Sequence, residues 1–360
     1  MRKLKNLYNF LKGKRVMITG HTGFVGSWLT KIALISGAEI AGYALDPPTT
    51  PNMYSTLNLK GVLDKRGDVR NKESLERAIK DFQPEIIFHL AAQPIVLESF
   101  ENPVETLEIN VIGTANVLDS MRKVDSIKVA LIMTSDKVYR NNEWPYPYRE
   151  IDPLGGRDPY SASKSCQDIV VNSFRESFFK PSGVKISTVR AGNIIGGGDW
   201  GKYRLIPDIV KGIVSGKTIE IRNPESIRPW QYILDIIDGM LLLTKKSYDN
   251  EKFSGDWNFG PLIDTNISVR ELTQKFISAW GEGGFNIRNA PSNKEAGYLK
   301  LDISKSRHEL NWIPKYDIET AVDETVRWYK SYYKGVDMDK VTSDQIYKYQ
   351  FDLVETDGDR

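Results

Sequence analysis

The sequence predicts an α/β protein built on a doubly wound parallel sheet, with a smaller, mostly C-terminal α/β domain. Three observations predict it. Short apolar runs alternate with longer amphipathic stretches through the N-terminal half. The first run ends in three regularly spaced glycines. After about residue 194 the alternation loosens into Gly- and Pro-rich loops with helices between them.

The expected strands are RVMITG (15–20), EIAGYAL (39–45), EIIFHLAA (85–92), KVALIMTS (128–135) and KISTVRAGN (185–193). Between them lie GSWLTKIALISG, NKESLERAIKDF, PVETLEINVIGTANVLDSMRKV and YSASKSCQDIVVNSFRESFF, whose apolar positions recur at i, i+3 and i+4. Strands alternating with helices of this length argue for a parallel sheet covered on both faces. Such sheets bind ligands at the carboxyl ends of their strands. The basic start, MRKLKNLYNFLKGKR, reads as a surface helix leading into the first strand. IIGGGDWG, IRNPESIRPWQY and NFGPLIDTNIS read as loops, and the polar end as a loosely held tail.

Composition excludes several classes. Apolar residues make up 40% and charged residues 27%, as in a soluble globular protein. The formal net charge is +2, which gives no reason to expect nucleic acid or an anionic membrane as partner. No run approaches the roughly 18 apolar residues of a bilayer span. One cysteine, Cys166, excludes an internal disulfide and, with no recognisable signal peptide, fits a reducing cytoplasm. His21, His89 and His308 are too scattered with that cysteine to suggest a metal site.

The first strand runs into GHTGFVG, which contains Gly20, Thr22, Gly23, Phe24, Val25 and Gly26. The G-x-x-G-x-x-G spacing lets backbone approach a pyrophosphate at the N-terminus of the next helix, while Phe24 and Val25 anchor the helix start. About 20 residues on, Asp46 stands where an acid binds ribose hydroxyls and repels a 2′-phosphate, favouring NAD over NADP. A turn residue before Pro47-Pro48 is the alternative. Asp68 and Val69 lie where an adenine edge can be bound. Ala91, Ala92 and Gln93 follow the third expected strand, and the small residues among them can admit cofactor closely. A Rossmann-type NAD-binding domain is therefore expected over 1–193, with a returning segment near 229–258. A substrate-binding domain is expected from 194–228 and 259–345, with a polar tail over 346–360.

DPYSASK places Tyr160 and Lys164 four residues apart at the start of a helix, on one face. An ammonium and a cationic nicotinamide lower a phenol's pKa, so Tyr160 can take a proton from an alcohol as hydride leaves carbon. Lys164 would also hold the nicotinamide ribose.

Taken together, TGHTGFVGSWL, HLAAQP, NVIGT, MTSDKVY, YSASK and VRAGNIIG resemble the extended short-chain dehydrogenases/reductases. GYALDPPT, RDPYSASK, RAGNIIGGGDW, RLIPDI, IRNPESIRPWQ and WNFGP narrow the resemblance to the nucleotide-sugar 4,6-dehydratases, from about residue 14 to about 320. The resemblance implies bound NAD and a nucleotide-sugar substrate, with CDP-glucose favoured over dTDP-, GDP- and UDP-sugars. It implies oxidation at C4, elimination of water across C5 and C6, and reduction at C6. Thr134 would hydrogen-bond near the sugar 4-oxygen.

Members acting on dTDP-glucose carry Asp-Glu as the acid–base pair after this strand; here it is Asp136-Lys137. Asp136 can be the acid only if protonated, and Lys137 the base only if neutral. An ordinary Asp–Lys ion pair closing a turn is the alternative.

Asn193, just after a strand, can bind diphosphate or sugar. Arg204, Arg222 and Arg228 offer guanidinium forks for phosphate oxygens, with surface salt bridges as the alternative. By resemblance Arg228 is the best diphosphate candidate, and Leu205, Ile206 and Pro207 would line the base pocket. Tyr298 is a candidate for contacting the nucleotide or closing the site. A homodimer or homotetramer, formed through helices 103–123 and 160–178, is implied in the same way. A 4-epimerase shares the glycine loop and the Tyr–Lys pair but needs no eliminating acid–base pair. A non-catalytic NAD-binding protein should lack the intact pair.

Overall fold

The computed structural model describes residues 6–262, 267–287 and 297–351. Seven parallel strands form the central sheet: β1 (Arg15–Thr19), β2 (Glu39–Ala44), β3 (Val62–Arg66), β4 (Ile86–His89), β5 (Val129–Met133), β6 (Lys185–Ala191) and, much later, β11 (Gly255–Phe259). Their spatial order is β11-β6-β5-β4-β1-β2-β3. The inner strands are continuous apolar runs because both faces are covered. Val16, Ile18, Phe88, Leu131 and Val189 enter one core, and Met17, Ile87, Ala130, Ile132 and Ile186 enter the other. That alternation is the period of two expected of a strand.

The remaining strands are short. β7 (Ile194–Ile195) pairs with β10 (Gln231–Tyr232), and β8 (Ile219–Ile221) with β13 (Phe285–Ile287). β9 (Ile227–Arg228) pairs with β12 (Ile267–Ser268).

The expected strands at 15–20, 39–45, 128–135 and 185–193 are present and shorter by one to three residues, and the one at 85–92 is halved to Ile86–His89. Two members of the sheet were not expected as strands. β3 is an edge strand in which Leu63, Asp64, Lys65 and Arg66 are exposed, so it carries no apolar signal. β11 includes Asn258 and Phe259, read above as the start of a loop; Trp257 and Phe259 are buried where it joins β6.

The basic N-terminus is not simply a surface helix. Residues 1–5 lie outside the described residues, and the short helix Asn6–Asn9 leads into the core through buried Tyr8 and Leu11. The polar tail expected over 346–360 also needs correction. Its first six residues finish the helix Met338–Phe351, which buries Ile346 and Tyr349; residues 352–360 lie outside the described residues.

Two features set up the site. Asp158 caps the helix Pro159–Phe174 by accepting from Ser161 N–H, and Pro159 takes the first helical position, where its missing N–H costs nothing. The helical run Pro103–Met121 contains a π-helical turn, Glu108–Ile112, which presents Asn110 to its neighbours.

Candidate active site

The glycine loop is a cradle built by close backbone approach. Gly20 has φ +77°, and a Cβ there would lie 2.7 Å from Ala91 N. A Cβ on Gly26 would lie 2.1 Å from the Gly20 carbonyl oxygen. Neither position tolerates a side chain. Gly23 precedes the helix Phe24–Ile35 without a side-chain cap, so the first-turn N–H groups are open to an anion. Thr22 donates to Leu45 O at 3.0 Å, tying the loop to the end of β2. Shape and donors fit a dinucleotide pyrophosphate.

Asp46 follows β2 with its side chain 90% exposed, 3.5 Å from Arg66. The Asp68 carboxylate accepts from Arg70 Nε and Nη2, and Val69 is buried against Gly113. Ala91 and Ala92 line the strand end, half-buried. Gln93 requires a correction. Its amide nitrogen donates to Thr106 and its oxygen accepts from Ile95 N–H, so the amide braces its own loop and is not offered to a cofactor. His21 is buried against Gly42 and bonded to Asp64 at 3.0 Å; burial lowers its pKa.

At the carboxyl end of β5 the chain turns through Thr134, Ser135, Asp136 and Lys137. In an extended segment neighbours point to opposite sides, and that decides their roles. Thr134 turns inward, its one hydroxyl proton shared between Asp168 Oδ2 at 3.2 Å and Val189 O at 3.4 Å. The expectation that Thr134 meets the substrate is therefore corrected. Ser135 is the hydroxyl beside the Tyr160 phenol, whose pKa it lowers, and it donates to Asp136 Oδ1 at 2.9 Å. Sequence reasoning missed Ser135, whose one visible signal was its place directly before Asp136.

Asp136 is buried, and its Oδ2 has no hydrogen-bond partner. Lys137 is half-buried, and among the described residues its ammonium makes neither an ion pair nor a hydrogen bond. The turn is thus not closed by an Asp136–Lys137 salt bridge.

Tyr160 and Lys164 lie buried on the first turns of the helix Pro159–Phe174. Burial pushes the phenol up to about 12; the Ser135 hydrogen bond pulls it down, Asp136 pushes it up, and Arg204 pulls it down. Burial pushes Lys164 down to about 7, opposed by Asp168. Beneath them Arg190 grips Asp168 with two hydrogen bonds of 2.9 and 2.7 Å and meets Asp256 at 3.2 Å. This network is fully buried on the Asp168–Arg190 side, and its paired geometry offsets the desolvation of both charges.

The sequence-predicted substrate residues are dispersed along the chain, and the structure gathers several of them. Arg204 precedes the helix Leu205–Val214, is paired with Asp199 at 3.0 Å and acts on Tyr160. Ile206 and Pro207 are buried, with Ile206 in the core, so Leu205 is the one of the three with surface to offer a base. Asn193 accepts from Gln231 N–H through its carbonyl, and its side chain makes no hydrogen bond among the described residues. Arg222 follows β8 within electrostatic range of Asp208. Arg228 is buried on β9, and its neighbour Ile227 pairs with Tyr298. Tyr298 is joined to the chain after Lys137: Glu143 accepts its N–H at 2.9 Å and Asn141 donates to its carbonyl at 3.0 Å. Among the described residues no group of His, Cys, Asp and Glu could hold a metal ion, and no helix is long and apolar enough to cross a membrane.

A family model described as GDP-mannose 4,6 dehydratase matches residues 17–325. The chain is 44% identical over 338 residues to CDP-glucose 4,6-dehydratase of Salmonella typhimurium, covering 92% of this chain and 94% of that protein. It is 25% identical to dTDP-glucose 4,6-dehydratase of Escherichia coli over 88% of this chain and 93% of that one. Among solved structures, the epimerase Mth375 of Methanothermobacter thermautotrophicus superposes with a TM-score of 0.81 at 23% identity, covering 93% of this chain and 97% of the epimerase. The dTDP-glucose 4,6-dehydratase of Bacillus anthracis in complex with NAD gives 0.76 at 22% identity, over 90% and 99%. These last two likenesses establish the fold alone. A family match spanning most of the chain, carried by a 44% identical relative of nearly equal length, means that the chain belongs to the GDP-mannose 4,6 dehydratase family of nucleotide-sugar 4,6-dehydratases.

Proposed function

We propose that the protein is a hydro-lyase that converts CDP-glucose to CDP-4-dehydro-6-deoxyglucose and water, with NAD as tightly held cofactor. The likeness to the Salmonella enzyme supports the substrate. The observation that carries the chemistry is a buried carboxylate beside the Tyr160 phenol, Asp136, whose Oδ1 accepts from Ser135 while its Oδ2 is uncommitted among the described residues. An epimerase has no use for an acid there.

NAD, held by the glycine loop, would supply a hydride acceptor for C4 and a hydride donor for C6. Tyr160 accepts the C4 hydroxyl proton while Ser135 holds the oxygen. The ketone acidifies C5–H. Lys137 is the base that removes that proton, and Asp136 is the acid that delivers one to the departing C6 hydroxyl, which leaves as water. The proton on Lys137 returns to C5 and the one gained by Tyr160 restores Asp136, so the balance is one water lost and no net oxidation. Lys164 orients Tyr160 and the cofactor ribose. Gly20, Gly23 and Gly26 cradle the pyrophosphate, Asp46 takes the adenosine ribose, and Asp68 and Val69 take the adenine. Arg204, Arg222, Arg228, Asn193 and Tyr298 bind the nucleotide diphosphate side, consistent with residues 194–228 and 259–345 forming the substrate domain.

A homodimer is proposed through the helical stretches over 103–123 and 160–178, which leave Val104, Leu107, Ile112, Ile169 and Phe178 exposed.

The test incubates purified protein with CDP-, dTDP-, GDP- and UDP-glucose and follows loss of one water by mass. The expected result is loss from CDP-glucose with no net absorbance change at 340 nm. Turnover of dTDP-glucose but not CDP-glucose would overturn the substrate, and a 4-epimer of unchanged mass would overturn the reaction.

A further inference from the structure

Lys164 Nζ lies 2.9 Å from the side-chain oxygen of Gln167 and 3.4 Å from the Met133 carbonyl oxygen. Gln167 is fully buried on the same helix, three residues on. An amide can face either way, so its direction has to be set by its other end. Its nitrogen donates to Thr114 Oγ1 at 2.8 Å. Thr114 has one hydroxyl proton and gives it to the Asn110 carbonyl at 2.8 Å. It therefore has only acceptor capacity left for Gln167, and also for His89 Nε2 at 2.9 Å.

His89 must then carry its proton on Nε2 and accept from Thr19 Oγ1 through Nδ1 at 2.6 Å. Burial holds the ring neutral, with a pKa pushed down to about 3, so one proton is all it has. His89, Thr114 and Gln167 are each fully buried, and every polar atom of their side chains is paired. A flipped amide would set its oxygen against the Thr114 oxygen and its NH2 against the lysine.

We propose that Gln167 is a positioning residue for the active site: from inside the protein its oxygen holds the Lys164 ammonium, and the Thr19–His89–Thr114 chain fixes the direction of its amide. The inference rests on the reading of Lys164 as the partner of Tyr160. The need for such a residue is physical. Burial disfavours a charged lysine, and an acceptor that favours the charged form opposes that. The charged and titratable groups around Lys164 are Tyr160 and Asp168 on its own helix and His89 on β4. Arg190 on β6 is already committed to Asp168, and Asp136 faces Tyr160 from the turn after β5. Gln167 thus supplies the neutral contact that does not also attract or repel the phenol.

The test is a carbon-13 titration of protein labelled at lysine Cε, with the Lys164 signal identified by its loss in Lys164→Met. It needs neither cofactor nor turnover. A failed dehydratase assay would overturn the proposed function and leave this result intact, and the reverse also holds. Gln167→Leu should lower the Lys164 midpoint by about one pH unit, and Gln167→Glu should raise it by about one or more. Thr114→Val should move it in the same direction as Gln167→Leu, by less. A residue that merely fills space would not give opposite shifts. Midpoints within about 0.2 unit of wild type in both Gln167 variants, or moved in the same direction, would overturn the proposal. If Gln167→Leu does not fold, Gln167→Met supplies the apolar arm of the comparison and should lower the midpoint in the same way.

Discussion

Lys164 and Lys137 reach the same end of β5, one from a helix and one from the turn that follows the strand. Lys164 is 2% exposed and held at two acceptors, one of them braced by a chain of buried hydroxyls and an imidazole. Lys137 is half-buried, and its ammonium has no partner among the described residues. The contrast extends to the acids beside them. Asp168 is gripped by Arg190 at two points, whereas Asp136 keeps one buried oxygen unpaired. On the proposed roles, the groups that orient are clamped and the groups that exchange a proton within one turnover are left uncommitted, because each existing bond would favour one protonation state over the other.

The largest test of that contrast is Tyr160→Phe, which removes the group proposed to take the C4 proton. Loss of water from CDP-glucose should fall by about a thousandfold or more, read by mass spectrometry. Lys137→Met should cut turnover by about 10²–10³-fold but leave the first oxidation intact. The expected signature is a single-turnover rise at 340 nm without deuterium uptake at C5 from heavy water; retained C5 exchange would remove Lys137 as the base. Asp136→Asn should slow turnover by about 10²-fold with the opposite signature, C5 exchange persisting while water is not lost. If the two variants gave the same pattern, the division between base and acid would collapse.

A smaller effect is expected from another buried carboxylate, remote from the chemistry. Asp235 is fully buried, bonded by Tyr349 and by the Lys315 N–H, with Oδ2 unpaired. Burial pushes its pKa up to about 7. Its folded value is above its unfolded value, so the folded state binds more protons between roughly pH 4 and 7, and stability falls as pH rises across that window. Asp235→Asn should flatten this dependence and raise the melting temperature at pH 8, by an amount equivalent to a few kcal/mol at most, about 4 by linkage. A melting temperature that follows pH identically in both proteins would show that Asp235 does not titrate there. The smallest effect on each active site is expected from Ile112→Glu combined with Ile169→Glu. Sedimentation should show the assembly reduced to monomers, because a buried unpaired carboxylate opposes association.

Much of the architecture was legible because it is local. The runs at 15–20, 39–45, 85–92 and 128–135 are apolar on both faces, and helices between them repeat at 3.6 residues. The glycine loop was legible because its spacing answers a steric demand that the structure displays at Gly20 and Gly26. β3 was not, because an exposed edge strand needs no apolar side chains. β11 was not, because its partner β6 lies more than 60 residues earlier and a short run such as GDWNF has no periodicity of its own. The last turns of the helix Met338–Phe351 read as the start of a polar tail from 346 because their buried positions include Gln350, which reads as solvated.

By itself the sequence determined the parallel α/β plan, the dinucleotide loop and the Tyr160–Lys164 pair, all consequences of spacing within one element or across one turn. Only the tertiary structure decided which of Thr134 and Ser135 faces the phenol. Adjacent residues in an extended segment point apart, and the packing of Asp168 and Val189 against β5 settles which way. It also decided that Asp136 and Lys137 are not paired with each other, and that Gln167, an unremarked helix position, reaches Lys164. Those outcomes depend on where hydrogen-bond partners from β1, β4 and the helix over 113–121 come to rest, and no local pattern encodes that.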